Sequence, residues 1–143
     1  MSKGNTFEND LVKLIFNATA IANIADNAAS SPLTSLYVAL HTADPGEAGD
    51  QTTSECAYGS YARVAVTRNS GGWTIAANVA SNTALIQFPT CTSGSETITY
   101  VSIGTASSGT GKILYSGALT ASRSVSSGIQ PQFAASALTV SED

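Results

Sequence analysis

His41 is the only histidine in the chain, and Asp44 follows it closely enough to suggest the base and acid of a serine hydrolase. A triad needs a serine, a base and an orienting acid that converge on one point. Here His41 ends a strand-like run and Asp44 opens a turn, so the two need not converge. No serine sits in a Gly-x-Ser-x-Gly elbow either. His41 therefore reads as a polar residue at a strand end, hydrogen-bonded to the loop that follows. Asp44, Glu47, Asp50 and Glu55 supply oxygen ligands of the kind calcium takes, but without EF-hand spacing. They read as a solvated acidic loop. With the carboxylates gathered in one loop, no facing pair for glycoside cleavage can be assigned. The segment Gly104-Thr-Ala-Ser-Ser-Gly-Thr110 imitates a phosphate-binding loop up to its second glycine, then lacks the lysine and the following helix. It reads as a hairpin loop. Trp73, Tyr58, Tyr61, Tyr100 and Tyr115 could form a platform for a sugar ring, which keeps a carbohydrate-binding β-sandwich as an alternative. Most of them alternate within strands, which favours packing. Trp73 follows Gly71-Gly72 and is the one placed for exposure as an interface anchor. The expectation is a non-enzymatic protein with no catalytic, cofactor-binding or metal-binding set.

The composition agrees. A chain of 143 residues is one domain by size. Charged residues make up 11%, against about 25% in an ordinary soluble domain. Ser, Thr, Ala and Gly take their place, a composition suited to strands, tight turns and surfaces that another subunit covers. The net charge is −4 and the six Lys and Arg are scattered, so no positive footprint for nucleic acid exists. Cys56 and Cys91 have neither C-x-x-C nor zinc spacing. They read as free thiols in a reducing cytoplasm. No signal-peptide pattern is expected at the N-terminus, and the apolar runs are too short to span a bilayer. Without a secretory signal, the sequon Asn17-Ala-Thr19 carries no weight.

The elements that must position these residues follow from periodicity. Phe7, Leu11, Leu14, Ile15 and Ala18 recur at helical spacing, with Thr6 as a candidate N-cap and Glu8 and Asp10 near the positive helix end. Ile21, Ile24, Ala25 and Ala28 extend the pattern until Ser30-Ser31-Pro32 breaks it. This N-terminal helix either packs on its own core or serves as an arm docked on a partner. Strands are expected over 33–40, 61–67, 73–75, 84–88, 97–103, 112–119, 123–125, 129–133 and 137–140. Asp44-Pro45-Gly46 is a turn, and residues 46–60 form a long polar loop. Short strands with frequent turn signals, and no alternation of strand with long helix, predict a mainly β fold. The expected architecture is a single domain, residues 1–143. A helical arm over 1–30 precedes a jelly-roll-like antiparallel β-sandwich over 31–143.

Four segments carry a family resemblance. In order they are Leu36-Tyr-Val-Ala-Leu-His-Thr-Ala-Asp-Pro-Gly46, which belongs to the run from Thr34, then Gly59-Ser-Tyr-Ala-Arg-Val-Ala-Val-Thr67, Leu114-Tyr-Ser-Gly-Ala-Leu-Thr120 and Phe133-Ala-Ala-Ser-Ala-Leu-Thr139. This succession resembles small virion proteins of tailed bacteriophages, labelled variously as tail-fibre proteins and as capsid cement or decoration proteins. The resemblance implies a structural role with no catalytic residues to carry over. The capsid reading takes first place, because the chain lacks the repeats or coiled stalk of a receptor-binding fibre. Cement proteins act by mass action, binding only the assembled shell and so stabilising it. That implies the major capsid protein as partner, a homo-dimer or homo-trimer, and a place on the capsid exterior after synthesis in the host bacterial cytoplasm. No nucleic-acid or membrane partner is implied. A small tail-tip or tail-fibre-base subunit is the alternative. The candidate capsid or self contacts are Phe7, Leu11 and Leu14 on the helix, Asp44, Glu47, Asp50 and Glu55 in the loop, and Trp73.

Overall fold

The structure, a computed structural model, describes residues 5–21 and 32–142. Among the described residues one helix, α1 (Asn5–Asn17), precedes nine strands: β1 (Ser35–His41), β2 (Val64–Thr67), β3 (Trp73–Ala76), β4 (Val79–Asn82), β5 (Ile86–Gln87), β6 (Ser95–Gly104), β7 (Ile113–Ser126), β8 (Gln132–Phe133) and β9 (Thr139–Ser141). The fold is mainly β with antiparallel sheets and one short N-terminal helix, consistent with the expected β-sandwich. The helical continuation expected at Ile24, Ala25 and Ala28 lies outside the described residues. Three sheets form, ordered β2-β1-β6-β7, β3-β4-β9 and β5-β8. The chain divides into two compact units, each discontinuous in sequence. One comprises residues 1–35, 66–86 and 133–143, and the other residues 36–65 and 87–132.

In the first unit α1 packs beside the β3–β4 hairpin. The buried face of the helix is Val12 and Phe16, one turn apart, and not the expected stripe. Phe7 is 39% exposed, and Leu11, Leu14 and Ile15 are half-buried. The helix is apolar on more than one side, and the partner decides which side goes in. Trp73 supplies that partner: its ring meets Phe16 edge-on with centroids 4.7 Å apart. α1 includes Thr6, which does not precede it as an N-cap. Its end is marked by Ala18, whose positive φ of 54° turns the chain. There Thr19 N–H reaches back to the Lys13 carbonyl at 3.1 Å. Arg68 then closes the terminus. Its Nε donates to the Ile15 carbonyl at 2.5 Å, one terminal nitrogen to Leu14 at 2.6 Å, and the other to Leu33 at 3.1 Å. The Ile15 and Leu14 carbonyls are ones that a helix end leaves without partners, and a cation suits the negative pole. Asn82 is fully buried at the hairpin's far end. Its amide nitrogen donates to the carbonyls of Ala84 and Ala134, and its oxygen accepts from Leu138 N–H.

In the second unit β1 pairs antiparallel with β6, from Tyr37↔Gly104 to His41↔Tyr100, and β6 pairs with β7. Leu36, Val38, Leu40, Ile98, Val101 and Ile103 are buried there. Leu36, Val38 and Leu40 follow the period-two alternation of a sheet face, as do Val101 and Ile103, and the register shift after Ile98 accounts for the odd step to Val101. The segments 112–119 and 123–125, expected as separate strands, form one strand with a break in register. Ile98 pairs with Arg123 and Tyr100 with Ala118, so residues 119–122 bulge out of the ladder. Tyr61–Arg63, expected to open the second strand, precede it, and β2 starts at Val64.

Candidate functional site

The connection between β1 and β2 was expected to be solvated, yet it is anchored by buried polar side chains. Residues Pro45, Gln51, Cys56 and Tyr58 within it are buried. Its first half follows the sequence pattern: Asp44 Oδ1 accepts from Gly46 N–H at 2.9 Å, and Gly46 takes φ 70°. Asp50 Oδ1 accepts from the Thr52 hydroxyl at 2.6 Å and from its N–H at 2.8 Å, and these bonds hold the Asp50 carboxyl below its ordinary range. The loop then folds back onto the sheet, where Glu55 bridges His41 and Cys56 N–H donates to the Leu40 carbonyl.

His41 sits at the centre, fully buried. Its Nδ1 lies 2.9 Å from the Thr53 carbonyl, and its Nε2 lies 2.7 Å from Ser102 Oγ. A carbonyl only accepts, so Nδ1 carries the proton, and Nε2 accepts from the Ser102 hydroxyl. Burial holds the imidazole below its ordinary range, over the opposing effects of the Thr53 bond and the Glu55 charge. This is a serine paired with a neutral base, and a backbone carbonyl stands where a triad has its acid. Ser102 is 1% exposed, so no substrate can reach its oxygen, and Asp44 faces its own turn. The pair ties loop to sheet.

Arg63 forms the second half of the knot. Its side chain is 2% exposed. Its Nε and one terminal nitrogen grip the two Glu55 carboxylate oxygens at 2.7 and 2.8 Å, a bidentate fork. Its remaining donors reach the carbonyls of Ala106 and Gly109, at 2.9 and 2.8 Å. The Tyr61 hydroxyl donates to Glu55 at 3.1 Å and accepts from Leu40 N–H at 3.0 Å. Burial pushes the Tyr61 phenol upward, so it stays a donor. The segment that imitates a phosphate loop is thus a clasp around this knot. Gln51 lies between its two ends, accepting from Ala106 N–H at 2.9 Å, while the Gln51 N–H donates to the Gly111 carbonyl. A Cβ on Gly104 or Gly111 would collide with the Gln51 carboxamide, which is why both positions are glycine.

The predicted contact residues scatter. Asp44 and Glu47 are exposed, Asp50 is half-buried, and Glu55 faces inward to Arg63. The four acids therefore do not converge, and no group of three or more His, Cys, Asp or Glu side chains close enough to hold a metal occurs among the described residues. Trp73 corrects an expectation: it is 0% exposed, because Phe16 covers it. Tyr58 is also buried, with its hydroxyl on the Pro89 carbonyl and its ring against Tyr61. Neither can join a sugar platform. Cys56 and Cys91 are buried free thiols, and burial pushes Cys56 up to about 12, which makes it inert. The sequence reading missed Gln51, Ser102, Arg68 and Asn82 as structural anchors. Arg63 had a visible signal, a charge embedded in an apolar alternating run of a chain poor in charge.

Residues 3–141 match a family model described as Podophage GP4 fiber I protein gp80. No curated protein matches the chain.

Proposed function

The chain belongs to the Podophage GP4 fiber I protein gp80 family, and from that premise we propose that it is a non-catalytic fibre subunit of a tailed-phage particle. The observation that carries this reading is how the polar residues of the first two family-like segments are used. His41, Tyr61 and Arg63, the residues in them with chemical potential, spend their hydrogen-bonding capacity on Thr53, Ser102, Leu40, Glu55, Ala106 and Gly109. A protein whose signature residues build its own loops works through shape and surface, and a virion subunit needs nothing more.

A capsid cement protein on the shell exterior is the second reading. It is favoured by one observation: α1 is 13 residues long and no other helix occurs among the described residues, so they include no stalk of the coiled-coil kind. In that reading the partner is the major capsid protein, and binding the assembled shell stabilises it by mass action. In both readings Phe7, Leu11, Leu14, Asp44 and Glu47 remain the contact candidates on the surface.

Copy number separates the two. Band intensity in purified particles, measured against the major capsid protein, gives a handful of copies for a fibre and hundreds for cement. Absence from purified particles overturns both.

A further inference from the structure

Three unfavourable features meet where α1 packs beside the β3–β4 hairpin, all within the first unit. Trp73 is 0% exposed, and its indole N–H has no hydrogen-bond partner among the described residues. Asn9 falls on the face of α1 that carries the buried Val12 and Phe16. Its Oδ1 is also buried and has no partner among the described residues. A polar atom taken out of water without a partner opposes the burial around it. Ala18, at the end of the helix, takes φ 54°, in the left-handed region that favours glycine.

One movement relieves all three. When α1 lifts from the hairpin and turns at Ala18, water reaches Asn9 Oδ1 and the Trp73 indole, and Ala18 is free to leave the left-handed region. The polar contacts that oppose this movement gather at one end of the helix. Arg68 holds the carbonyls of Leu14 and Ile15, and the Asn17 amide, oriented to donate, reaches the carbonyls of Trp73 and Asn69 at 3.2 Å. The apolar contact is narrow, since Val12 and Phe16 are the buried residues of α1.

We infer that α1 is a strained arm that leaves the β3–β4 hairpin as a unit, pivoting at Ala18, before the hairpin itself unfolds. Local openings of this kind draw on the least stable elements of a fold. The movement uncovers Val12, Phe16 and Trp73 together. The inference goes beyond the structural reading above and concerns the isolated chain, so it stands or falls whichever place in the particle the protein takes.

Hydrogen exchange followed by NMR on the full chain tests it. Trp73 is the only tryptophan, and its indole N–H exchanges as soon as water reaches it. In the wild type the indole and the amides of Val12 and Phe16 should share one protection factor, about tenfold or more below that of the β4 amides. Asn9→Leu removes the unpartnered oxygen and should slow exchange of the indole and the helix together, about fivefold. Ala18→Gly removes the Cβ that the left-handed backbone disfavours and should slow both about threefold. Val12→Ala should speed both. An indole that exchanges only with the β4 amides overturns the inference. So does an Asn9→Leu or Ala18→Gly variant whose indole exchanges as fast as the wild type or faster. If Asn9→Leu fails to fold, Asn9→Ala replaces it, with the same direction expected.

Discussion

His41 Nε2 and Ser102 Oγ share a 2.7 Å hydrogen bond in the interior, and with burial favouring the neutral imidazole Nε2 accepts it. Protonation would reverse that bond and put a charge in a buried site. Burial lowers the folded-state proton affinity of His41, while the unfolded chain titrates near 6.5. Between the two values the unfolded state holds more protons, so stability rises with pH there. The contribution is complete above about pH 6.5 and is lost as pH falls through the folded value, with a slope of up to about 1.4 kcal/mol per pH unit. His41 is the only histidine, so the window above carboxylate titration belongs to it. Thermal unfolding of the wild type should therefore be flat above pH 7 and decline toward pH 5. His41→Asn should abolish that decline, and an identical decline in the variant would disprove the assignment.

The Glu55–Arg63 fork is fixed by four further contacts, to Tyr61, Ala106, Gly109 and Leu40 through Tyr61. Breaking one side of a buried pair leaves the other charge uncompensated, which costs about 3–5 kcal/mol. Arg63→Ala should approach the lower figure, because the Glu55 side chain keeps 17% exposure and some water. Arg63→Lys keeps the charge but not the fork, so it should recover only part of the loss. Urea unfolding measures both. A loss under 0.5 kcal/mol for Arg63→Ala would show that the knot is not cooperative.

Most strands were legible because their apolar residues alternate and their turns carry Gly, Pro and Asn. β1 and β6 followed directly from that alternation, though not their pairing, and β4 was not legible because residues 76–82 are mostly small. The knot was not legible, because its members come from four separate places in the chain. Gln51 looks like any loop glutamine until Gly104 and Gly111 close on it. Ser102 lies on the buried end of β6 opposite Ala39, and nothing nearby in sequence names His41 as its partner. The helix face failed for a related reason. Phe7, Leu11 and Leu14 match helical spacing as well as Val12 and Phe16 do, and only Trp73, far along the chain, breaks the tie. A buried tryptophan after two glycines also looks the same in sequence as an exposed one.

Gln51 and Gly104 make a paired test of the clasp. Gln51→Ala removes the acceptor of Ala106 N–H and leaves a cavity, which should cost about 1–3 kcal/mol. Gly104→Ala drives a methyl into the Gln51 carboxamide and should cost about as much through overpacking. Combined, the alanine at 51 makes room for the alanine at 104. The double variant should then be more stable than the sum of the single losses by about 1 kcal/mol or more. Additive losses in denaturant titrations would refute the clash.

Arg68 decides whether α1 is part of its unit or a detachable arm. Three of its nitrogens hold the carbonyls of Leu14, Ile15 and Leu33, two of them in the last turn of a helix that has no basic residue of its own there. Arg68→Ala leaves those groups without their cation, and charged hydrogen bonds of this kind are worth about 1.5–3 kcal/mol together with the lost helix-end interaction. A helix of 13 residues is marginal alone, so its loss should appear as reduced helical circular dichroism and faster proteolysis within residues 5–21. Arg68→Lys should restore only a fraction, because one ammonium cannot span three carbonyls. Deleting residues 1–20 should lower the unfolding midpoint of the isolated chain, since Trp73 then loses the Phe16 ring that covers it. An unchanged midpoint after the deletion would return α1 to the role of an arm that docks elsewhere on the particle.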